Sequence, residues 1–159
     1  RAASVLSANL EIGFGRGRGG PGGWWLLYEP ELLFGRDVLV PDLAGWRRDR
    51  VPQLPGGAYL TIAPDWVCEV LSPSTAGLDR VRKLRIHARE GVSHAWLVDP
   101  EVRTLEVLRR DGANWLIAGT HAGGETVRAE PFDAIELDLA ALWLTPTPPE
   151  PIVAEALLE

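Results

Sequence analysis

Three residues in this chain have types that their surroundings do not call for. Asp42 follows Pro41 at the end of the aliphatic run Val38-Leu39-Val40. Glu69 lies inside Trp66-Val67-Cys68-Glu69-Val70-Leu71. A glutamate in so apolar a strand is costly unless it is paired, protonated or bound to a metal ion. Strand side chains alternate, so Glu69 shares a face with Val67 and Leu71 while Cys68 points to the opposite side as a small core hydrophobe. Lys83 is the one lysine among the 16 Lys and Arg residues. A composition that uses arginine wherever a positive charge suffices keeps lysine where a compact point charge or an amine of adjustable pKa is needed. Each residue also has a plainer reading. Asp42 could simply form a turn, and Lys83 could pair with Asp79 one helical turn earlier, an interaction worth roughly 0.3–0.5 kcal/mol.

The elements that must position these residues can be read from the pattern. A short strand over Trp66–Leu71 presents Glu69, and Ser72-Pro73-Ser74-Thr75 ends it. A helix runs from Leu78 to Glu90, with Leu78, Val81, Leu84, Ile86 and Ala88 as the expected buried stripe and Gly91 as the stop. Residues 94–98, HAWLV, form the next strand. Strand, helix and strand in about 35 residues make a right-handed crossover with parallel pairing. Upstream, Ala2 to Leu10 reads as the tail of a helix. Residues 13–23, GFGRGRGGPGG, contain the spacing of a dinucleotide fingerprint at Gly15, Gly17 and Gly20. No strand precedes it and Pro21-Gly22-Gly23 blocks a following helix, so a flexible connection is expected. Two runs with strand character, Trp24–Phe34 and Val38–Trp46, flank a hairpin turn at Gly35-Arg36-Asp37. Residues 47–63 read as irregular. Further strands are expected at Thr104–Arg109, Trp115–Gly119 and Thr126–Glu130, with Leu137–Leu144 closing the domain. The pattern gives an α/β domain over residues 1–144 and a proline-rich tail over 145–159.

The chain has 159 residues, enough for one domain with one core, and 46% of them are hydrophobic. No stretch approaches the ~18 apolar residues of a membrane span, and no signal peptide is visible, so a cytoplasmic protein is expected. Cys68 is the only cysteine, which excludes an internal disulfide and a cysteine-rich zinc site. The net charge of −6 argues against a uniformly basic nucleic-acid face. The chain contains no methionine, and a preceding N-terminal segment is expected.

Asp42, Glu69 and Lys83 together resemble the pattern of the PD-(D/E)XK nuclease superfamily. Within it the chain is similar to the Uma-type endonucleases, on Pro41–Arg48 (PDLAGWRR), Pro64–Thr75 (PDWVCEVLSPST), Asp79–Lys83 and Gly91–Pro100 (GVSHAWLVDP). The resemblance runs from about Arg1 to Trp143. It implies a restriction-endonuclease-like mixed sheet with flanking helices and additional C-terminal strands. It implies a magnesium or manganese ion held at Asp42, Glu69 and Val70, with Lys83 completing the catalytic set. The superfamily's usual lysine lies two residues after the glutamate, where this chain has Leu71; the resemblance moves the amine to the following helix. Asp79 and His87 share the helical stripe of Lys83 and are accessory positions, as is Glu31. Position 87 is often tyrosine in such proteins. Arg47, Arg48, Arg80 and Arg82 are the expected nucleic-acid contacts, and the expected partner is nucleic acid, DNA in first place, with a homodimer left open. A second Pro-Asp pair, Pro64-Asp65, competes with Asp42. Asp65 and Glu69 are four strand residues apart, roughly 13 Å, too far to share one ion. His94 and His121 lack metal-ligand spacing. Two rival readings stand beside metal-dependent cleavage: a nuclease-fold module that binds nucleic acid or a protein without cutting, and a structural domain whose acids are satisfied by arginine.

Overall fold

Proline interrupts both apolar runs that precede residue 47, and the sheet is organised around those breaks. The computed structural model describes residues 1–73 and 77–143. In it the first run divides at Pro30 into β1 (Trp24–Tyr28) and β2 (Leu32–Phe34), and the second divides at Pro41 into β3 (Asp37–Leu39) and β4 (Leu43–Arg47). Proline has no N–H to give to a ladder, so pairing stops at each one. The expected long hairpin is therefore two hairpins. Its tip, β2 with β3, forms a separate two-stranded sheet that turns at Gly35, where φ is 62°. Its base, β1 with β4, joins the main sheet in register from Trp24↔Arg47 to Tyr28↔Leu43.

The main sheet continues through β5 (Trp66–Val70), β6 (His94–Asp99), β7 (Thr104–Asp111) and β8 (Asn114–Ala122), in the order β1-β4-β5-β6-β7-β8. All of its pairings are antiparallel except β5 with β6. The crossover between those two strands is α2 (Gly77–Arg89), as the spacing predicts. One C-terminal expectation needs correction. The strand expected over 126–130 is only β9 (Thr126–Val127), which pairs with β10 (Leu137–Asp138) outside the main sheet. The segment from residue 137 then turns into a short helix, α3 (Ala140–Trp143), because the Asp138 carboxylate accepts the Ala140 N–H at 3.0 Å. Leu144 and the tail from 145 to 159 lie outside the described residues.

Each face of the sheet has its own core. Trp24, Leu43, Trp66, Cys68 and Trp96 face α1 (Ala2–Leu10), α3 and Phe132. Ala44, Trp46, Val67, Ala95 and Leu97 face α2 and the β2–β3 hairpin. The glycine-rich segment is built into the first core. Helix α1 runs on into a wide turn over Glu11–Gly15, closed by Arg16 N–H donating to the Glu11 carbonyl at 2.7 Å. A Cβ on Gly13 would lie 2.2 Å from Ile135 Cδ1, and one on Gly20 would lie 2.8 Å from the Gly13 oxygen. Close backbone packing requires glycine at Gly20, whereas at Gly13 only the end of the Ile135 side chain stands in the way. Helix α2 also differs from expectation. Leu78 is 89% exposed and Val81 is 42% exposed, whereas Ile86, His87 and Ala88 are buried. The helix meets the sheet with its C-terminal half, where Trp115 Nε1–H donates to the Leu84 carbonyl at 3.0 Å.

Phe132 joins the sheet to its α1-side cover. Its ring centroid lies 4.7 Å from those of Phe14 and Trp24, 4.9 Å from Trp66 and 5.6 Å from Trp96. Phe132→Ala is expected to lower stability by about 3–5 kcal/mol through the cavity it leaves. Urea unfolding checks this; a loss below about 1 kcal/mol would show that the aromatic cluster closes without it.

Candidate metal and nucleic-acid site

The site begins with register. Strand β4 pairs with β5 so that Leu43 faces Cys68 and Ala44 faces Val67. One step beyond, Asp42 stands opposite Glu69, both on the α2 side. Directly opposed residues of an antiparallel pair have Cβ atoms about 4.5–5.5 Å apart. Asp42 is held in place by its own ladder, since its Oδ2 accepts the Val70 N–H at 2.6 Å. Helix α2 then lays Lys83 over the pair. Lys83 Nζ lies 3.7 Å from Glu69 Oε2 and 3.6 Å from Asp79 Oδ2, ion-pair distances longer than a good hydrogen bond.

Electrostatically, Glu69 is the strained member. Its side chain is only 12% exposed. Burial pushes its carboxyl up to about 7; the Lys83 amine pulls it back, while Asp42 and Asp79 push it further up. Among the described residues Glu69 Oε1 has no hydrogen-bond partner. Beneath it, burial and the neighbouring carboxylates push the Cys68 thiol well up, so Cys68 stays a neutral packing group.

These groups line a cleft of ≈ 380 Å³ whose walls also include Tyr28, Val40, Leu71 and Arg80. Among the described residues no three His, Cys, Asp or Glu side chains form a ready-made metal cluster. The two facing carboxylates nevertheless fit a hard divalent cation. Magnesium is commonly bound by one or two carboxylates and completed by water and substrate phosphate. The unsatisfied Oε1 is an open acceptor of the kind such an ion would take.

Other expected positions fall elsewhere. Glu31 is exposed, does not line the cleft, and uses its backbone carbonyl to accept the Leu60 N–H at 2.9 Å. His87 continues the Asp79–Lys83 stripe inward and is fully buried, with neither ring nitrogen partnered among the described residues. Burial, with Lys83 nearby, lowers its pKa to about 4, which keeps it neutral at pH 7. Arg47 and Arg48 are at the far end of β4, roughly 17 Å along the strand from Asp42. There Arg47 stacks on Trp24 and Arg48 on Trp25, and Arg48 donates to the carbonyls of Trp24 and Gly15. Arg82 pairs with Asp37 at 3.4 Å. Of the four expected arginines, Arg80 alone lines the cleft. Asp65, the rival acid, accepts the Arg47 N–H and the Arg50 guanidinium, a structural anchor at the opposite end of β5. His94 and His121 pair with Glu130 and Glu125. Sequence reasoning passed over Tyr28 and Val40. The signal that could have marked Tyr28 is the Glu29-Pro30 break behind it, which ends β1 at the cleft.

Residues 13–140 match the model of the Uma2 family, described as "Putative restriction endonuclease". The chain belongs to the Uma2 family. Its fold is shared with a crystal structure titled as a putative nuclease belonging to DUF820 from Anabaena variabilis. The two are 21% identical, with a TM-score of 0.66 over 90% of this chain and 80% of that one. No curated protein matches the chain. Uma2 membership supports nuclease function and a nucleic-acid substrate. Among the described residues no helix is long and apolar enough to cross a membrane.

The Glu69 environment predicts a pH signature. Its folded pKa, about 7, lies above the ordinary value of 4.5, so the fold favours the protonated acid. This contribution is present at low pH and lost as pH rises from 4.5 through 7. His87 works with the opposite sign, its contribution being lost as pH falls from 6.5 through 4. The two slopes offset each other in wild type. In metal-free buffer, the stability of Glu69→Gln relative to wild type should therefore rise by about 2–3 kcal/mol between pH 5 and pH 8. Parallel curves for the two proteins in urea unfolding would show that Glu69 is not perturbed.

Proposed function

We propose that this chain is a divalent-metal-dependent endonuclease that hydrolyses phosphodiester bonds, with DNA as its substrate and magnesium or manganese as its ion. The observation that carries this reading is the largely buried Glu69 carboxylate, beside Asp42 just past the end of the β4–β5 ladder, with one oxygen unpaired among the described residues and the sole lysine above it. Asp42 and Glu69 would hold the ion, with the Val70 N–H fixing Asp42 in the orientation the site needs. The bound cation would polarise the phosphoryl oxygen and lower the pKa of its water. Lys83 sits where an ammonium can stabilise charge developing on the phosphate. Arg80, at the cleft wall, is placed to contact a neighbouring phosphate.

One observation favours the non-cleaving alternative. Leu71 lines the cleft at the place where the superfamily pattern has its lysine. The reading therefore stands on Lys83 replacing that amine from α2. If Lys83 acts on the reacting phosphate, Lys83→Arg misplaces a larger planar cation, and single-turnover cleavage with manganese should slow at least ~10-fold. The melting temperature should change little, since mutations at partly exposed polar sites usually alter stability by about 0.5 kcal/mol or less. Full activity in Lys83→Arg would remove the lysine from the mechanism. Calorimetric titration with manganese separates the remaining parts. Wild type should bind and Glu69→Ala should not; equal binding by both would place the ion elsewhere. Nucleic-acid affinity should also fall steeply as salt is raised, and a salt-independent isotherm would point to a protein partner instead.

A further inference from the structure

One wall of the cleft is left unused by the metal and phosphate chemistry. Tyr28 and Val40 line it on the Asp42 side, and they stay 53% and 43% exposed. An aromatic ring left open beside two carboxylates gains nothing from the core and is available to a ligand. Its backbone is fixed to the segment that carries Asp42. Tyr28 ends β1 opposite Leu43. The next residue, Glu29, has φ 48° and donates its N–H to the Asp42 carbonyl at 2.9 Å. A non-glycine residue rarely adopts that conformation, and a following proline favours extended backbone instead, so here the bond to the Asp42 carbonyl holds it. The backbone that carries the ring is therefore tied to the backbone that carries the carboxylate.

The supply of cations points the same way. A protein that tracks duplex DNA makes rows of phosphate contacts with Arg and Lys. Among the described residues the cations lining this cleft are Arg1, Arg80 and Lys83. Other arginines are committed elsewhere: Arg82 and Arg89 to Asp37, Arg50 to Asp65, Arg109 to Glu130. A short cationic edge with one exposed ring suits a strand whose bases are free to stack, because every base offers a π-face.

We infer that Tyr28 is a stacking platform for an unpaired nucleotide beside the scissile phosphate, so that the substrate is a single strand or an unpaired segment and not continuous duplex. This rests on the nuclease reading above. The probes are a fluorescein-labelled deoxyoligonucleotide, its RNA counterpart and the same DNA sequence as a blunt duplex. Binding is followed by anisotropy in calcium, to suppress cleavage, and thermal melts confirm that each variant is folded.

Wild type should bind a single strand more tightly than the duplex. Tyr28→Ala should weaken single-strand binding about tenfold and leave duplex binding little changed. Tyr28→Phe keeps the ring and should recover most of the loss. A response from either DNA or RNA supports the platform, and the tighter of the two identifies the sugar. Tighter duplex binding, no binding of any probe, or equal single-strand affinity in wild type and Tyr28→Ala would overturn the inference. Cleavage of the same probes with manganese separates the two claims. Cutting that is abolished by Glu69→Ala but indifferent to Tyr28→Ala would sink the platform and keep the nuclease. Tyr28-dependent binding without any cutting would sink the nuclease and keep the platform.

Discussion

A carboxylate on the inner face of a sheet loses its hydration, and the loss grows steeply as the ionised form is drawn inward. Glu69 is in that position because it cannot be moved. Its neighbours Val67 and Cys68 are fully buried in opposite cores, so a shift of β5 by one residue would expose both cores at once. The same register sets Asp42 opposite Glu69. Burial and the nearby Asp42 push Glu69 toward protonation, and Lys83 opposes that push. The fold holds Glu69 where its ionised form is unfavourable by itself.

Helix α2 serves this arrangement with an uneven attachment. Its C-terminal half is anchored by buried Ile86 and Ala88 and by the Trp115 hydrogen bond to the Leu84 carbonyl. From the side, Arg82 and Arg89 both reach Asp37, tying the helix to the β2–β3 hairpin. Its N-terminal half carries Asp79, Arg80 and the exposed Leu78 and is less deeply packed. Lys83 lies at the junction, 23% exposed, between the packed half of the helix and solvent. The stripe Asp79–Lys83–His87 thus passes from water to core within two turns, which is why its third member cannot reach the cleft.

Much of this was legible from residue order, for identifiable reasons. The crossover β5–α2–β6 followed from period and length, and the face shared by Asp42 and Glu69 followed from strand alternation once a neighbouring-strand pairing was assumed. The long hairpin of the apolar runs is two hairpins because Pro30 and Pro41 each remove a ladder donor. The buried stripe of α2 was misread because apolar spacing cannot say which end of a helix approaches the sheet. The glycine-rich turn was misread because close packing against Ile135 is a long-range contact, invisible in the local pattern. Arg47 and Arg48 lie at the far end of β4 from Asp42, because a strand of that length carries its two ends far apart.

How the chain divides its cations follows from their shapes. Its arginines act as forks. Arg48 joins two carbonyls while stacking on Trp25, Arg128 bridges the carbonyls of Asp133 and Ala134, and Arg89 spans Asp37 and Glu90. A planar guanidinium suits such fixed, multi-point bridges, and these are structural tasks. The lysine stands instead as a single point between two carboxylates, neither of them nearer than 3.6 Å. A point charge that is not locked to either acid can turn toward a third anion without breaking a fixed geometry. A guanidinium in the same place would clamp Glu69 in a two-point bond and occupy the oxygen that an incoming ion needs. The preference for arginine elsewhere sets the lone lysine apart, since it is the one cation that meets its two acids as a point charge and not as a fork.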